Sequence, residues 1–563
     1  MKLFDRSAIT KVQATIIAII IIVAAVAAGV YIVTRPPTKT TTTTTAAVRL
    51  VRRGESMPCY IDPAIGEDFC SEDAHTNLYD PLVWPAPGGG VIPWIATNWT
   101  ISNDGLTYTF SIQKGVQFHD GGNLTAWDVA FSMIRLLTIG QGYSWIFAPY
   151  INITNGITVL DPYTIQFNLN MPEGAFVDSL VRLYIVENAT VMAHIVTPGP
   201  YGSYGDFGTA WLSTNEAGSG PYELTAISVD SYVDMKQFAG YWNPSSFNPL
   251  APTEVDLVAT AAETATEKTL MLDKQLEVSD EWQSDAFLDP LNITGYTSIQ
   301  SQADDGEYYY MMNCQKPPTD DVYLRMALEY CFPYQTVLTN IYDIYAPAES
   351  CIPMSLPGAI DCNPYYYNLT MAKECLALSK YADNISDYDI TFQVMNEVPI
   401  RMDDALLFAA QCALVGITVT VTSVPWGTMM GELTNNATAP NIVPIVVDPL
   451  FADAGAMLYE RYSIATQNSF NNCVWLNNAT LDAEMDAANA NMNTTSRMAQ
   501  LAQIQEEIMN LAPDIWVYDF KVVEVVQNYV SIPTMQNPSL VTGIQGYNDD
   551  FKTWAVNETL AAL

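Results

Sequence analysis

Over "LTYTFSIQ", Leu106, Tyr108, Phe110 and Ile112 alternate with polar residues, the period of a strand with one buried face. Asn103-Asp104-Gly105 just before it is a hairpin-turn sequence, which predicts a second strand upstream. The period then changes. Ala126, Ala130, Met133, Ile134 and Leu137 recur at helical spacing, and Thr125 followed three residues later by Asp128 forms a capping box at the helix start. Between the two patterns lies "FHDGGNLT", with His119 and Asp120 side by side. The only other histidines, His75 and His194, are distant in sequence, so His119 and Asp120 read as turn residues fixing a strand-to-helix corner. Strand, turn and helix patterns alternate along the chain without one long repeat, as mixed α/β domains require. At 563 residues two or three such domains are expected.

One stretch has no period at all. From Ala14 to Val33, "ATIIAIIIIVAAVAAGVYIV" is unbroken apolar sequence, long enough to cross a bilayer as a helix. Lys2, Arg6 and Lys11 precede it and the bulk of the chain follows, which places that bulk outside the cell by the positive-inside rule. The expected order is a basic segment over 1–13, a transmembrane or signal-anchor helix over 14–34 and a Thr-rich stalk over 35–46 in "RPPTKTTTTTTAA". The basic stretch ending "AITKVQA" resembles pilin-type signals of archaeal surface proteins, which are cut before the apolar run; an uncleaved anchor is the alternative. Either leaves the protein at the cell surface, tethered to the cytoplasmic membrane.

Composition sharpens this picture. There are 23 Lys+Arg against 61 Asp+Glu, for a net charge of −38. No basic stripe is available to neutralise phosphates, which excludes nucleic acid as a partner. Bases are scarce rather than acids abundant, and a surface facing acid would explain it, because protonated carboxylates would leave few uncompensated cations. N-glycosylation sequons stand at Asn98, Asn123, Asn152, Asn188, Asn292, Asn368, Asn384, Asn436, Asn478, Asn493 and Asn557, compatible with a glycoprotein outside the cell. The nine cysteines show no metal-type spacing. Cys59 with Cys70 and Cys351 with Cys362 are the expected disulfides, each closing a short loop, with at least one thiol left free. No G-x-S-x-G and no H-E-x-x-H is present, so nothing argues for a hydrolase, and no cofactor or metal is expected.

The segment "NLYDPLVW…IPWIATNWTISNDGLTYTFSIQKGVQFHDGGNLTAWDVAFSMIRLL" resembles the signature region of the extracytoplasmic solute-binding proteins of peptide/nickel-type ABC importers. The resemblance continues through "GSGPYELT", "YWNPSSFNPLAPTEVDLV", "YYYMMNCQKPPTDDVYLRMALEYCFPYQTVLTNIY" and "LDAEMDAANANMNTTSRMAQLAQIQEEIMNLAPDIWVYDF", and so covers the chain after residue 50. It implies an α/β, bilobal periplasmic-binding-protein-like fold (class II, three-domain) with the ligand cleft between lobes. Domain I would be discontinuous over 47–81, 206–300 and 515–563, domain II would span 82–205 and domain III 301–514. It implies no enzyme but a monomeric receptor that hands di- or oligopeptides to an ABC permease.

In the family's peptide binders an aspartate in a segment like "PIVVDPLFADAGAMLYERY" holds the ligand ammonium, which implies that role for Asp448, and for Trp426 in "VPWGTMM" a place in the pocket wall. Tyr143, Trp145 and Tyr150, just past the opening helix, are further candidates to face the cleft. The sequence departs from the pattern at Ile445, where an aromatic is expected, and at Leu433 and Ile442, where oligopeptide binders offer arginines. Oligosaccharide is therefore an alternative ligand, with the tyrosines at 308–310 and 365–367 as stacking faces. A secreted hydrolase or a surface-layer component are remoter alternatives. Three scattered histidines give little support to nickel.

Overall fold

The computed structural model describes residues 48–561 except 56–58, 230, 261–263, 281–296, 343–344, 397 and 399. The apolar run, the stalk and Asn292 lie outside the described residues. Among the described residues no helix is long and apolar enough to cross a membrane.

The first sheet orders strands Leu50–Glu55, Glu254–Ala259, Tyr232–Gln237 and Tyr222–Ser228, the first pair parallel and the others antiparallel. The second is an antiparallel sheet of Ala96–Ile101, Thr107–Ile112, Thr164–Asn168 and Ile157–Asp161. Its hairpin and the helix Ala126–Ile139 follow the alternation and the helical spacing read from the sequence. At the helix start the Thr125 N–H donates to the Asp128 carboxylate at 2.9 Å, and Gly140 ends the helix in the left-handed region.

The corner between them is structural. His119 Nδ1 lies 2.7 Å from Glu216 Oε1 and Nε2 3.0 Å from the Gly220 carbonyl, while the His119 N–H donates to the Gly218 carbonyl at 2.9 Å. Asp120 accepts from the Gly122 N–H at 2.8 Å and from the Thr190 hydroxyl at 2.7 Å. The "GSGPY" corner is glycine-rich because it runs against other backbone: a Cβ on Gly218 would fall 2.0 Å from the Leu78 carbonyl oxygen.

The third sheet orders Ala346–Pro347, Asp514–Gln527, Thr297–Met312, Ile442–Val447, Asp389–Met395 and Thr418–Val424. Thr297–Met312 and Asp514–Gln527 pair antiparallel over nearly their whole length, and single bridges from Val278 to Val526 and Arg53 carry the pairing on to the first sheet. These two long strands are the connection between the lobes. Side chains over Tyr308–Met312 alternate between the two faces of the sheet: Tyr308, Tyr310 and Met312 pack in one core, Tyr309 and Met311 in the other. The three tyrosines are fully buried, so they belong to the core and not to a sugar-stacking surface, whereas Tyr366 and Tyr367 are exposed.

Cys59 and Cys70 are disulfide-bonded, as expected. The expected pairing of Cys351 with Cys362 is corrected by the structure, where both are thiols. Cys351 is buried in the core, and the Cys362 sulfur lies 3.7 Å from the Ser350 hydroxyl, which it meets in place of Cys351.

Candidate functional site

Strand Asp389–Met395 runs parallel to both Thr418–Val424 and Ile442–Val447. Their carboxyl ends therefore open at one edge of the sheet, the position where α/β sheets hold ligands. Met395 ends one strand, Trp426 follows Val424 by two residues, and Asp448 follows Val447 directly. All three line a cavity of about 400 Å³. Arg401, in the first turn of helix Ile400–Ala413, and Met430 and Phe470 complete this wall.

The facing wall comes from the first lobe. Tyr60, Ile65, Glu67, Asp68 and Phe69 all lie in the loop that the Cys59–Cys70 disulfide closes, and they leave the mouth of the helix Phe69–Leu78 at the cavity edge. Asn471 and Gln545 close the remaining sides. The loop is held by its own polar groups. Tyr60 N–H donates to the Ser71 hydroxyl at 2.9 Å, His75 Nε2 lies 2.9 Å from the Tyr60 carbonyl, and Tyr79 OH donates to the Ile61 carbonyl at 2.9 Å. Asp62 receives a bidentate pair from Arg135 at 2.7 and 2.6 Å, which bolts the loop to the helix Ala126–Ile139.

The cavity is mostly apolar with a few charges set into it, the usual composition of a ligand site. Asp448 is 6% exposed and sits against Gly306 of the connecting strand, where a Cβ would fall 1.9 Å from Oδ1. Arg401 donates from Nη1 to the Pro444 carbonyl at 3.2 Å, with its guanidinium 5.0 Å from the centre of the Tyr308 ring. Asp68 caps the helix Phe69–Leu78, accepting from Ser71 N–H at 3.0 Å and Ser71 hydroxyl at 2.9 Å; burial nevertheless raises its pKa. Glu67 is open to the cavity, yet protein surrounds it. That desolvation, and then the charges of Asp68 and Glu72, pushes its carboxyl up to about 7.

Of the residues singled out from sequence, Asp448 and Trp426 line the cavity, and Trp426 meets Phe470 edge to face at 5.7 Å. Tyr143 does not reach it. Its ring is buried below the loop, with its hydroxyl donating to the Glu67 carbonyl at 3.4 Å and the Arg182 guanidinium 5.0 Å from its centre. Trp145 and Tyr150 line a separate pocket of about 40 Å³ beside Glu173 and Tyr459. Sequence reasoning passed over the 59–70 loop and Arg401. The paired cysteines marked the loop, but nothing local says which surface a closed loop will face.

An α/β protein of two lobes with a ligand-sized cavity between them, at the carboxyl ends of parallel strands, is the architecture of a solute-binding protein. The family model described as bacterial extracellular solute-binding proteins, family 5, matches residues 90–465, and the chain belongs to that family. The dipeptide-binding protein of Escherichia coli (strain K12) is 28% identical over 415 residues, 68% of this chain and 72% of that protein. A glutathione-binding protein of Salmonella choleraesuis (strain SC-B67) is 26% identical over 337 residues, 58% of this chain; the match spans 60% of that relative's length. Among solved structures, a periplasmic binding protein of Helicobacter pylori in complex with the peptide STSA superposes with a TM-score of 0.75 at 21% identity, covering 91% of this chain and 98% of that one. A dipeptide-binding protein of Pseudoalteromonas in complex with Met-Leu gives a TM-score of 0.72 at 18% identity, covering 86% and 96%.

Proposed function

We propose that this protein is a surface-tethered receptor that captures short peptides between its lobes and delivers them to an ABC importer. The observation that carries the reading is Asp448, a carboxylate at the end of a core strand and at the edge of an apolar, interlobe cavity that also holds Arg401. A peptide terminal ammonium pairs with the first and its carboxylate with the second, and both bonds strengthen as closure removes water. Trp426 and Phe470 take an apolar side chain. The relatives named for dipeptide and glutathione, and the fold shared with peptide complexes, support the same ligand class. Tethering would come from the apolar run over 14–33, and delivery from a hinge in the two long connecting strands.

Thermal-shift measurements on the full chain test this with free dipeptides, N-acetylated dipeptides and oligosaccharides. A ligand at 100 times its Kd adds about 2.7 kcal/mol. Stabilisation is expected from free dipeptides, less from acetylated ones, and none in Asp448→Asn. A response to oligosaccharides alone would keep a receptor and discard the ammonium site.

A further inference from the structure

The cavity carries more negative charge than the ends of a peptide can use. Three carboxylates line it, Glu67, Asp68 and Asp448, against one arginine, Arg401. Resting on the peptide-receptor reading, Asp448 and Arg401 serve the two termini. Asp68 is spent as the helix cap, through its two bonds from Ser71. Glu67 remains.

The groups that face Glu67 offer it no cation. On its own loop it has Asp68, and on the following helix Glu72, whose charge is already taken by Arg182 and His75. Glu460, from the other lobe, and the Tyr143 ring beneath the loop are the remaining titratable groups coupled to it. Among the described residues no lysine, arginine or histidine forms an ion pair with Glu67. Its side chain is exposed toward the cavity, while its backbone is fixed. It sits three residues before a disulfide cysteine, in a loop pinned by Ser71, His75, Tyr79 and Arg135. A carboxyl carried by a fixed loop at a ligand cavity, with Asp68, Glu72 and Glu460 as its charged neighbours, is an arrangement that a ligand cation relieves.

We infer that the receptor is selective for peptides bearing a second cation, a lysine or arginine side chain, and that Glu67 is the specificity residue that pairs with it. A neutral side chain at that position leaves Glu67 unpaired in the closed cleft, and an acidic one adds repulsion. Pairing with a cation also lowers the carboxyl's proton affinity, so binding of a basic peptide near pH 7 releases a proton.

Isothermal titration of the full-length protein separates these statements, with Ala-Lys and Lys-Ala against Ala-Gln and Gln-Ala. Wild type is expected to favour at least one lysine dipeptide about tenfold or more over its glutamine counterpart, as a charge-assisted bond implies. Glu67→Gln should remove that preference, while Glu67→Asp, which keeps the charge, should retain part of it. Repeating the titration in buffers of different ionisation enthalpy should show proton release with the lysine dipeptide in wild type and none in Glu67→Gln. Equal affinity for lysine and glutamine dipeptides, or a preference that survives in Glu67→Gln, overturns the role of Glu67 and leaves the peptide receptor standing. Failure of all four dipeptides to bind, or their indifference to Asp448→Asn, overturns both.

Discussion

A single glycine sets the position of Asp448, the carboxylate proposed to pair with a peptide ammonium. Gly306 lies on the strand Thr297–Met312 and Asp448 directly follows its neighbour Ile442–Val447, and the absent Cβ is what lets Oδ1 approach the connecting strand. Gly306→Ala should push Asp448 out of place or displace the strand itself. Ligand affinity is expected to fall about tenfold or more, with a loss of about 1–3 kcal/mol of stability from overpacking. Titration with a dipeptide and a melting curve check the two effects, and unchanged affinity would refute the contact's importance. Asp80 is a buried carboxylate with both oxygens engaged. Trp94 and Trp242 ring N–H groups donate to it at 2.8 and 3.1 Å, and Ser219 and Tyr241 hydroxyls at 2.8 and 3.2 Å. Asp80→Ala leaves four donors without their acceptor, those of Ser219 and Tyr241 buried, and should cost upwards of about 3 kcal/mol, measurable by denaturant titration. At this scale several sequons also acquire a physical meaning. Asn368, Asn478 and Asn493 cap helices, accepting from the N–H groups of Thr370, Thr480 and Ser496 respectively.

The loop from Cys59 to Cys70 is the element on which the cavity most depends. It supplies five lining residues and its ends are eleven residues apart in sequence. Closing a loop of that size restrains the unfolded chain by about 3 kcal/mol in the entropy picture. The paired Cys59→Ser, Cys70→Ser variant should therefore melt several degrees lower, and it should also bind dipeptides more weakly because Glu67 and Tyr60 lose their fixed positions. A variant that melts lower but binds as wild type would show the bond to be a staple only. The elements themselves were largely legible, because period and caps are local properties: the hairpin before residue 112 and the helix Ala126–Ile139 form where alternation and the Thr125–Asp128 box place them. The tyrosines at 308–310 were not legible as core, since a fully buried strand carries no alternation to read.

Across the whole molecule, buried carboxyls tie stability to pH. Burial pushes Glu173 to about 7, Asp178 to about 6, Asp404 to about 7 and Glu460 to about 8. In the unfolded chain such groups titrate near 4. Between those values the folded chain binds more protons than the unfolded one, so stability falls as pH rises from about 4 toward 8. His119 acts in the same direction. Burial lowers its pKa, but the Glu216 charge and hydrogen bonds from its surroundings outweigh that and raise it. Its contribution is complete below about 6.5 and is lost as pH climbs through the folded value. Glu72 opposes: despite burial, Arg182 and His75 lower its pKa, and its contribution is lost only as pH falls through that lowered value. The full chain should melt higher at pH 5 than at pH 8 by scanning calorimetry, in keeping with a base-poor surface adapted to acid. A higher melting temperature at pH 8 would refute this.

Motif order and local periodicity were enough to determine the hairpin before residue 112, the helix Ala126–Ile139, the family and the position of Asp448 in the chain, because each is written in neighbouring residues. Only the tertiary structure decided what shares the cavity. Glu67 and Asp448 are 381 residues apart, and they meet because two antiparallel strands carry one lobe over the other. Tyr143, by contrast, is buried beneath the loop, and Trp145 and Tyr150 line a separate pocket. Which face of a loop looks into a cleft follows from the packing of both lobes, and no stretch of sequence encodes that alone.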